Sequence, residues 1–164
     1  MKYYYLHFKD DNGCVAKASF DYNYPTKKEI KNDFFFKVDK VPQDYLANDL
    51  GWPLMSELMM SHINELLKKI NVNWKKINVQ YKLKSLNYFV PVFNEKIDIL
   101  NIEKSIFSKA NFVVKCHLSL EKVLGYDFFQ VPNSDLRLIV SLPVKLRLEK
   151  NRISGLDFSL CPAS

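Results

Sequence analysis

Glycine is scarce in this chain, with four in 164 residues. Gly13, Gly51, Gly125 and Gly155 stand far apart, so no glycine-rich loop is available to cradle a phosphate. A β-sandwich with many tight turns would use more glycine, which favours a mixed α+β fold. Histidine is rarer still: His7, His62 and His117. A zinc site needs three or four nitrogen, sulfur or oxygen ligands in a closed set. Leu66, one helical turn beyond His62, is no ligand, and Cys116 and His117 point to opposite faces of any strand. No metal or other cofactor is expected. The three cysteines, Cys14, Cys116 and Cys161, form no CxxC pair and no closed disulfide set, which reads as free thiols in a reducing compartment. No family signature surrounds Cys14 or Cys116 as a nucleophile. Runs of about 18 apolar residues, the length of a membrane span, do not occur. Met1–His7 is followed at once by Lys9, Asp10 and Asp11, unlike the apolar centre of a signal peptide. A cytoplasmic protein is the expectation.

What is present is enough for one domain over 1–164. The hydrophobic fraction is 48% and the aromatic fraction 14%, which excludes disorder on composition. The formal net charge is +6, and it is unevenly placed. Residues 1–50 are neutral, whereas 68–84 carries Lys68, Lys69, Lys75, Lys76, Lys82 and Lys84 with no acid. Such a segment suits phosphates or an acidic protein partner, or is simply a solvated face with Lys68 and Lys69 at a helix C-terminus.

The most informative pattern occurs twice: a serine opens a short amphipathic helix and a strand follows. The first copy runs from Ser56 through Ile70 to a strand over Ile77–Leu83. The second runs from Ser141 through Leu148 to a strand over Leu156–Leu160. In the first, Met55, Leu58, Met59, Ile63, Leu66, Leu67 and Ile70 recur at three and four, which predicts one long helix stopped at Asn71. In the second, Pro143 falls in the first turn and Asn151 ends the helix.

Around these units the chain reads as about nine short strands, with two or three short helices beside the long one, in a mixed or mainly antiparallel sheet. Tyr3–Phe8 alternates as a strand, and Asp10-Asp11-Asn12-Gly13 predicts a turn into a returning strand over Val15–Tyr22. Thr26 and Glu29 resemble a capping box before a brief helix. These make residues 1–33 an N-terminal hairpin and short helix. Phe34–Val38, Leu86–Phe93 and Phe112–Leu118 read as strands, with Pro91 marking an edge or a bulge. Ser119–Leu124 reads as a small helix closed by Gly125. Phe128–Val131 and Leu136–Val140 read as a hairpin.

No constellation of catalytic side chains accompanies these elements, so binding is favoured over turnover. The triplets Tyr3-Tyr4-Tyr5 and Phe34-Phe35-Phe36 could stack bases, yet consecutive residues alternate faces and at least one of each is expected in the core. Residues 39–53 form the longest irregular stretch. There Asp39, Asp44 and Asp49 accompany Tyr45 and Trp52, aromatic types favoured as interface anchors.

Leu54-Met55-Ser56-Glu57-Leu58 leading to Ile77–Tyr81, then Tyr88–Phe93, the Ile97–Ser105 segment, Asp127–Val131, Ile139-Val140-Ser141 and Gly155-Leu156-x-Phe158 resemble a pattern of bacterial immunity proteins. These belong to polymorphic toxin or contact-dependent inhibition systems. The resemblance spans residues 34–160. It implies a non-enzymatic protein that binds the C-terminal domain of a cognate toxin, such as a nuclease, and occludes its active site. Two faces are then candidates. One is the acidic and aromatic set Asp39, Asp44, Tyr45, Asp49 and Trp52, suited to a basic partner. The other is the 68–84 lysines, suited to an acidic toxin or, alternatively, to nucleic acid.

Overall fold

The computed structural model describes residues 1–25, 30–94 and 97–164, which hold twelve strands and three short helices. The first half of the chain contributes β2 (Lys17–Ala18), β3 (Phe35–Val38), β4 (Tyr45–Leu46), β5 (Leu54–Ser56), α1 (Glu57–Asn64), β6 (Val72–Tyr81) and β7 (Lys84–Phe93). The second contributes β8 (Ile106–Phe107), β9 (Val113–Lys115), α2 (Leu120–Val123), β10 (Phe128–Gln130), β11 (Leu138–Ser141), α3 (Leu142–Lys150) and β12 (Leu156–Cys161). The N-terminal strand β1 (Tyr3–Phe8) joins this second set.

One sheet has six strands in the order β2-β3-β6-β7-β5-β4, another has four in the order β10-β11-β1-β12, and β8 and β9 pair alone. Every pairing between these strands is antiparallel except β3 with β6. The α+β, mainly antiparallel class expected from the sequence is what the chain adopts.

The repeated serine–helix–strand unit proves to be part of a larger duplication. In both sheets a short strand (β4, β10) pairs with a strand ending in serine (β5, β11), a helix follows (α1, α3), and the chain returns as β6 or β12. The strand between is β7 in one sheet and β1 in the other. Ser56 is in register with Tyr88, and Ser141 with Tyr3. The two tyrosines do the same work: Tyr88 Oη donates to Gln43 O at 2.7 Å, and Tyr3 Oη to Val123 O at 3.0 Å. Burial pushes both phenols up, Tyr3 to about 12. The outer pairings also correspond. Ala18 pairs antiparallel with Phe36, which pairs parallel with Val79; Leu100 bridges antiparallel to Leu118, which bridges parallel to Ala163. The two chain ends, which pair as β1 and β12, therefore stand where the first half has a continuous hairpin.

Matching aspartates hold the halves together. Ser56 Oγ donates to Asp44 Oδ1 at 2.7 Å, and Ser141 Oγ to Asp127 Oδ1 at 2.7 Å. Each serine N–H also donates to the carbonyl of its aspartate, at 2.7 and 2.9 Å. The second oxygen of each carboxylate reaches across to the other half. Asp44 Oδ2 accepts from the N–H and hydroxyl of Ser154, just beyond α3, and Asp127 Oδ2 accepts from the N–H of Lys68, just beyond α1. The residue after each aspartate is exchanged likewise. Phe8 stacks on Tyr45 at 4.1 Å, and Phe93 packs on Phe128 at 5.2 Å. Between the halves lies a central core in which Met59 and Ile63 of α1 face the corresponding Val144 and Leu148 of α3. Behind it each half has a core of its own, one around Trp52, Phe34 and Phe36, the other around Tyr3, Phe129 and Leu118.

Several expectations need correction. The long helix is not long: α1 ends at Asn64. Past it the backbone tightens, with Leu66 N–H bonding Ile63 O and Leu67 N–H bonding Asn64 O, the tighter spacing common at helix ends. Leu66 and Leu67 still reach the central core from these turns, while Ile70 is exposed. Tyr3–Phe8 does not pair with a returning strand over 15–22, because β11 and β12 already occupy both its edges. Lys17–Ala18 pairs instead with Lys37 and Phe36. The strand after α1 ends at Tyr81, so Leu83 lies in the β6–β7 turn. Pro91 lies in an interior strand, but beyond the short stretch where β5 pairs with Tyr88 and Phe89, so no bond to β5 is lost there. Ser141 stands at the N-cap of α3 without using its hydroxyl on the helix, since Asp127 takes it. Ser56 does cap α1, accepting from Met59 N–H at 3.2 Å. Thr26 and Glu29 lie outside the described residues.

Removing the Asp127 carboxylate would strand a buried hydroxyl and an inter-half N–H. Asp127→Ala should cost about 2–3 kcal/mol in urea unfolding. Asp44→Ala should cost less, because Asp44 is only half-buried and water can substitute. Gly155, at φ +79°, packs against the Tyr45 carbonyl where an added Cβ would collide. Gly155→Ala should therefore lower Tm more than either aspartate variant.

Candidate functional site

The acidic and aromatic set is divided by the fold. Trp52 is 1% exposed and sits among Tyr22, Tyr24, Phe34 and Phe36, with ring centroids 5.0–6.1 Å away. Asn48 holds the same turn, its Oδ1 accepting from Trp52 N–H at 2.9 Å. Tyr45 is buried under Phe8, and Asp44 is the inter-half clasp described above. Asp49 is exposed, but its carboxylate accepts from Ala18 N–H at 3.0 and 3.2 Å and ties β2 to the loop. Asp39 alone of the five is an exposed side chain at the rim of a groove.

The six lysines do not form one strip either. Lys68 and Lys69 lie beside the second half, where Lys69 Nζ donates to Leu124 O at 3.1 Å and sits 4.3 Å over the Tyr126 ring. Lys75 and Lys76 are consecutive on β6 and so face opposite sides. Lys82 and Lys84 flank the tip of the β6–β7 hairpin.

That tip is the most distinctive surface of the molecule. The two-residue turn Lys82-Leu83 joins the longest strands, and Lys82 adopts a left-handed φ of +53°. A left-handed lysine costs of order 1 kcal/mol relative to glycine. Leu83 is left fully exposed, with Val41 65% and Val15 44% exposed nearby. An open groove of about 670 Å³ lies on one side, walled by Val15, Lys17, Lys37, Val38 and Asp39. A second of about 860 Å³ lies on the other, walled by Val41, Pro42, Leu86 and Glu57. Both grooves share Lys82 and Leu83. Apolar side chains at the centre with charge at the rim is the anatomy of a protein interface.

Of the residues around this tip, the sequence alone singles out Asp39, Lys82 and Lys84 and does not single out Val15, Val41, Leu83, Lys17 or Lys37. The strict alternation of Ile77–Leu83 ran the strand through its own turn, because no glycine, asparagine or proline marks it. Lys17 and Lys37 become neighbours only through strand pairing.

Among the described residues, no three His, Cys, Asp or Glu side chains cluster to hold a metal. His7 and His117 each bond a serine hydroxyl, Ser159 and Ser164. All three cysteines are free and buried. Burial pushes the Cys14 thiol up, while the hydrogen bond between the Cys116 and Cys161 thiols pulls Cys116 down and pushes Cys161 up. No helix among the described residues is long and apolar enough to cross a membrane.

The class of protein follows from a comparison with known families. A model of immunity proteins matches residues 16–162, nearly the whole chain. The chain belongs to that family, the Immunity protein family (Imm11). The match begins before residue 34 and so takes in β2, which the resemblance read from the sequence left out. No curated protein matches the chain.

Two expectations check these placements. Trp52→Ala should cost about 3–5 kcal/mol in denaturant unfolding, as a core truncation rather than a surface change. All three thiols should resist a bulky thiol reagent in the folded protein and react together on unfolding, measured by absorbance.

Proposed function

We propose that this chain is a non-catalytic immunity protein of a bacterial polymorphic toxin or contact-dependent inhibition system. It binds the C-terminal domain of its cognate toxin in the cytoplasm and neutralises it by covering the active site. Membership of the immunity family supports the toxin-binding part of this reading. One observation supports the choice of surface: Leu83 stands fully exposed between two open grooves at the tip of the long β6–β7 hairpin. Asp39, Lys82 and Lys84 belong to this surface. Asp44, Tyr45 and Trp52 act in the scaffold that carries it. A complex of this kind buries about 1,600 Å² in all, centred on a few anchors.

The rim is mainly basic, which suits an acidic toxin surface better than the basic groove of a nuclease. Nucleic-acid binding through 68–84 gains no support, since its lysines lie in three separate places.

Co-expression with the toxin domain encoded beside this chain is the test. The expected result is a stoichiometric complex and growth rescued only when this chain is present. Leu83→Asp should keep the wild-type Tm, because the side chain contributes nothing to the core, and should weaken toxin binding at least tenfold by calorimetry. No complex and no rescue would remove the reading.

A further inference from the structure

We propose that the toxin element taken by the tip is a carboxylate-bearing polypeptide segment, seated between Lys17, Lys37 and Lys82 beside Leu83. The inference rests on the toxin-neutralising reading and deepens it. Its starting point is the register of β2 and β3, which places Lys17 directly opposite Lys37. Like charges directly opposed across an antiparallel pair are unfavourable. Both side chains are exposed, and among the described residues the ion pairs are Lys9–Asp11, Lys122–Asp98, Lys145–Glu149 and Arg147–Glu65, so neither lysine is neutralised by one. Lys82 lines the same groove, where among the described residues Asp39 is the one acid beside three lysines. The free protein thus keeps an excess of ammonium groups at the mouth of an open groove, with Lys82 Nζ 5.2 Å over the Tyr81 ring.

Carboxylates from a partner would relieve that repulsion, and the groove's shape adds what kind of partner. Its remaining walls among the described residues are Gly13, Val15, Val38 and Leu83, none of them aromatic. A single-stranded nucleic acid would want rings to stack its bases. Valine and leucine beside lysines fit an acidic segment with apolar side chains. A second copy of this chain is a poor occupant, because its own tip carries the same positive charge.

The test measures toxin-domain affinity for wild type, Lys17→Glu and Leu83→Asp at about 50 and about 500 mM salt, a range over which exposed charges become screened. Wild-type affinity should fall at least tenfold with salt. Lys17→Glu places opposite charges across β2 and β3, so its Tm should hold or rise while its toxin affinity drops at least tenfold and loses most of its salt dependence. A drop in affinity with unchanged or higher Tm is not what misfolding produces. Toxin binding by Lys17→Glu within twofold of wild type, with Leu83→Asp still impaired, would overturn the acidic-segment inference and leave the tip as the toxin site. Salt-insensitive wild-type binding would also overturn it. Wild type that fails to bind at all would overturn the immunity reading and this inference with it. Tight binding of a generic RNA, lost in Lys17→Glu, would overturn the assignment to a polypeptide.

Discussion

Two aspartate side chains, Asp44 and Asp127, are the constraint on which the rest depends. Each gathers a serine from its own half with one oxygen and a backbone N–H from the other half with the second. Hydrogen bonds to a charged acceptor are about twice as strong as neutral ones. Because the bonds are exchanged, neither half can satisfy its own carboxylate alone. The aspartate also sets the strand pair, since the serine N–H returns to the aspartate carbonyl. One residue thus fixes where β4 or β10 meets its partner, where the helix begins and where the opposite half docks. The rings that follow, Tyr45 and Phe128, are then in place to receive Phe8 and Phe93 from across the interface.

The exchange explains why the N-terminus lies in the middle of a sheet. In the first half the hairpin β6–β7 supplies the strand between β5 and β6. In the second the same position is filled by β1, whose partner β12 is near the opposite end of the chain. Both partners of β1, β11 and β12, lie more than 130 residues away in sequence, and contacts of such high sequence separation are slow to form. In the first half, by contrast, three of the five strand pairings join strands adjacent in sequence.

How much of this was legible in the sequence depended on range. The serine–helix–strand repeat was visible because its signals lie within a few residues. The aspartates that complete it were not, because each sits more than a helix length before its serine and one of them was read as part of an interface. Asp44, Tyr45 and Trp52 looked like a binding loop because acid next to aromatic is the composition of one. Burial separates the two readings, and burial is set by strand pairing that no local pattern encodes. The same limit explains α1. Leu66, Leu67 and Ile70 continue the helical period, yet Asp127 draws the Lys68 N–H across to the other half, and the helix has ended before it. At the tip the error ran the other way, with strand alternation carried through a turn that is made by a left-handed lysine.

The division between clasp and tip gives the fold its suitability for a partner-specific task. Comparing equivalent segments shows where sequence is constrained. The stretch between Ala18 and Phe36 turns Phe20, Tyr22 and Phe34 inward onto Trp52. Its counterpart between Leu100 and Leu118 becomes the β8–β9 hairpin and leaves Ile106, Phe112 and Val114 outside. The clasps, the helix faces and the outer bridges remain matched across these differing insertions, so the matched frame does not require the two insertions to be alike. The β6–β7 tip has the same independence: Lys82 and Leu83 make no contact that the cores require. Substitutions at such positions change what the surface fits while leaving stability nearly untouched, which is the property a protein needs when its partner's surface, and not its own fold, dictates what must change.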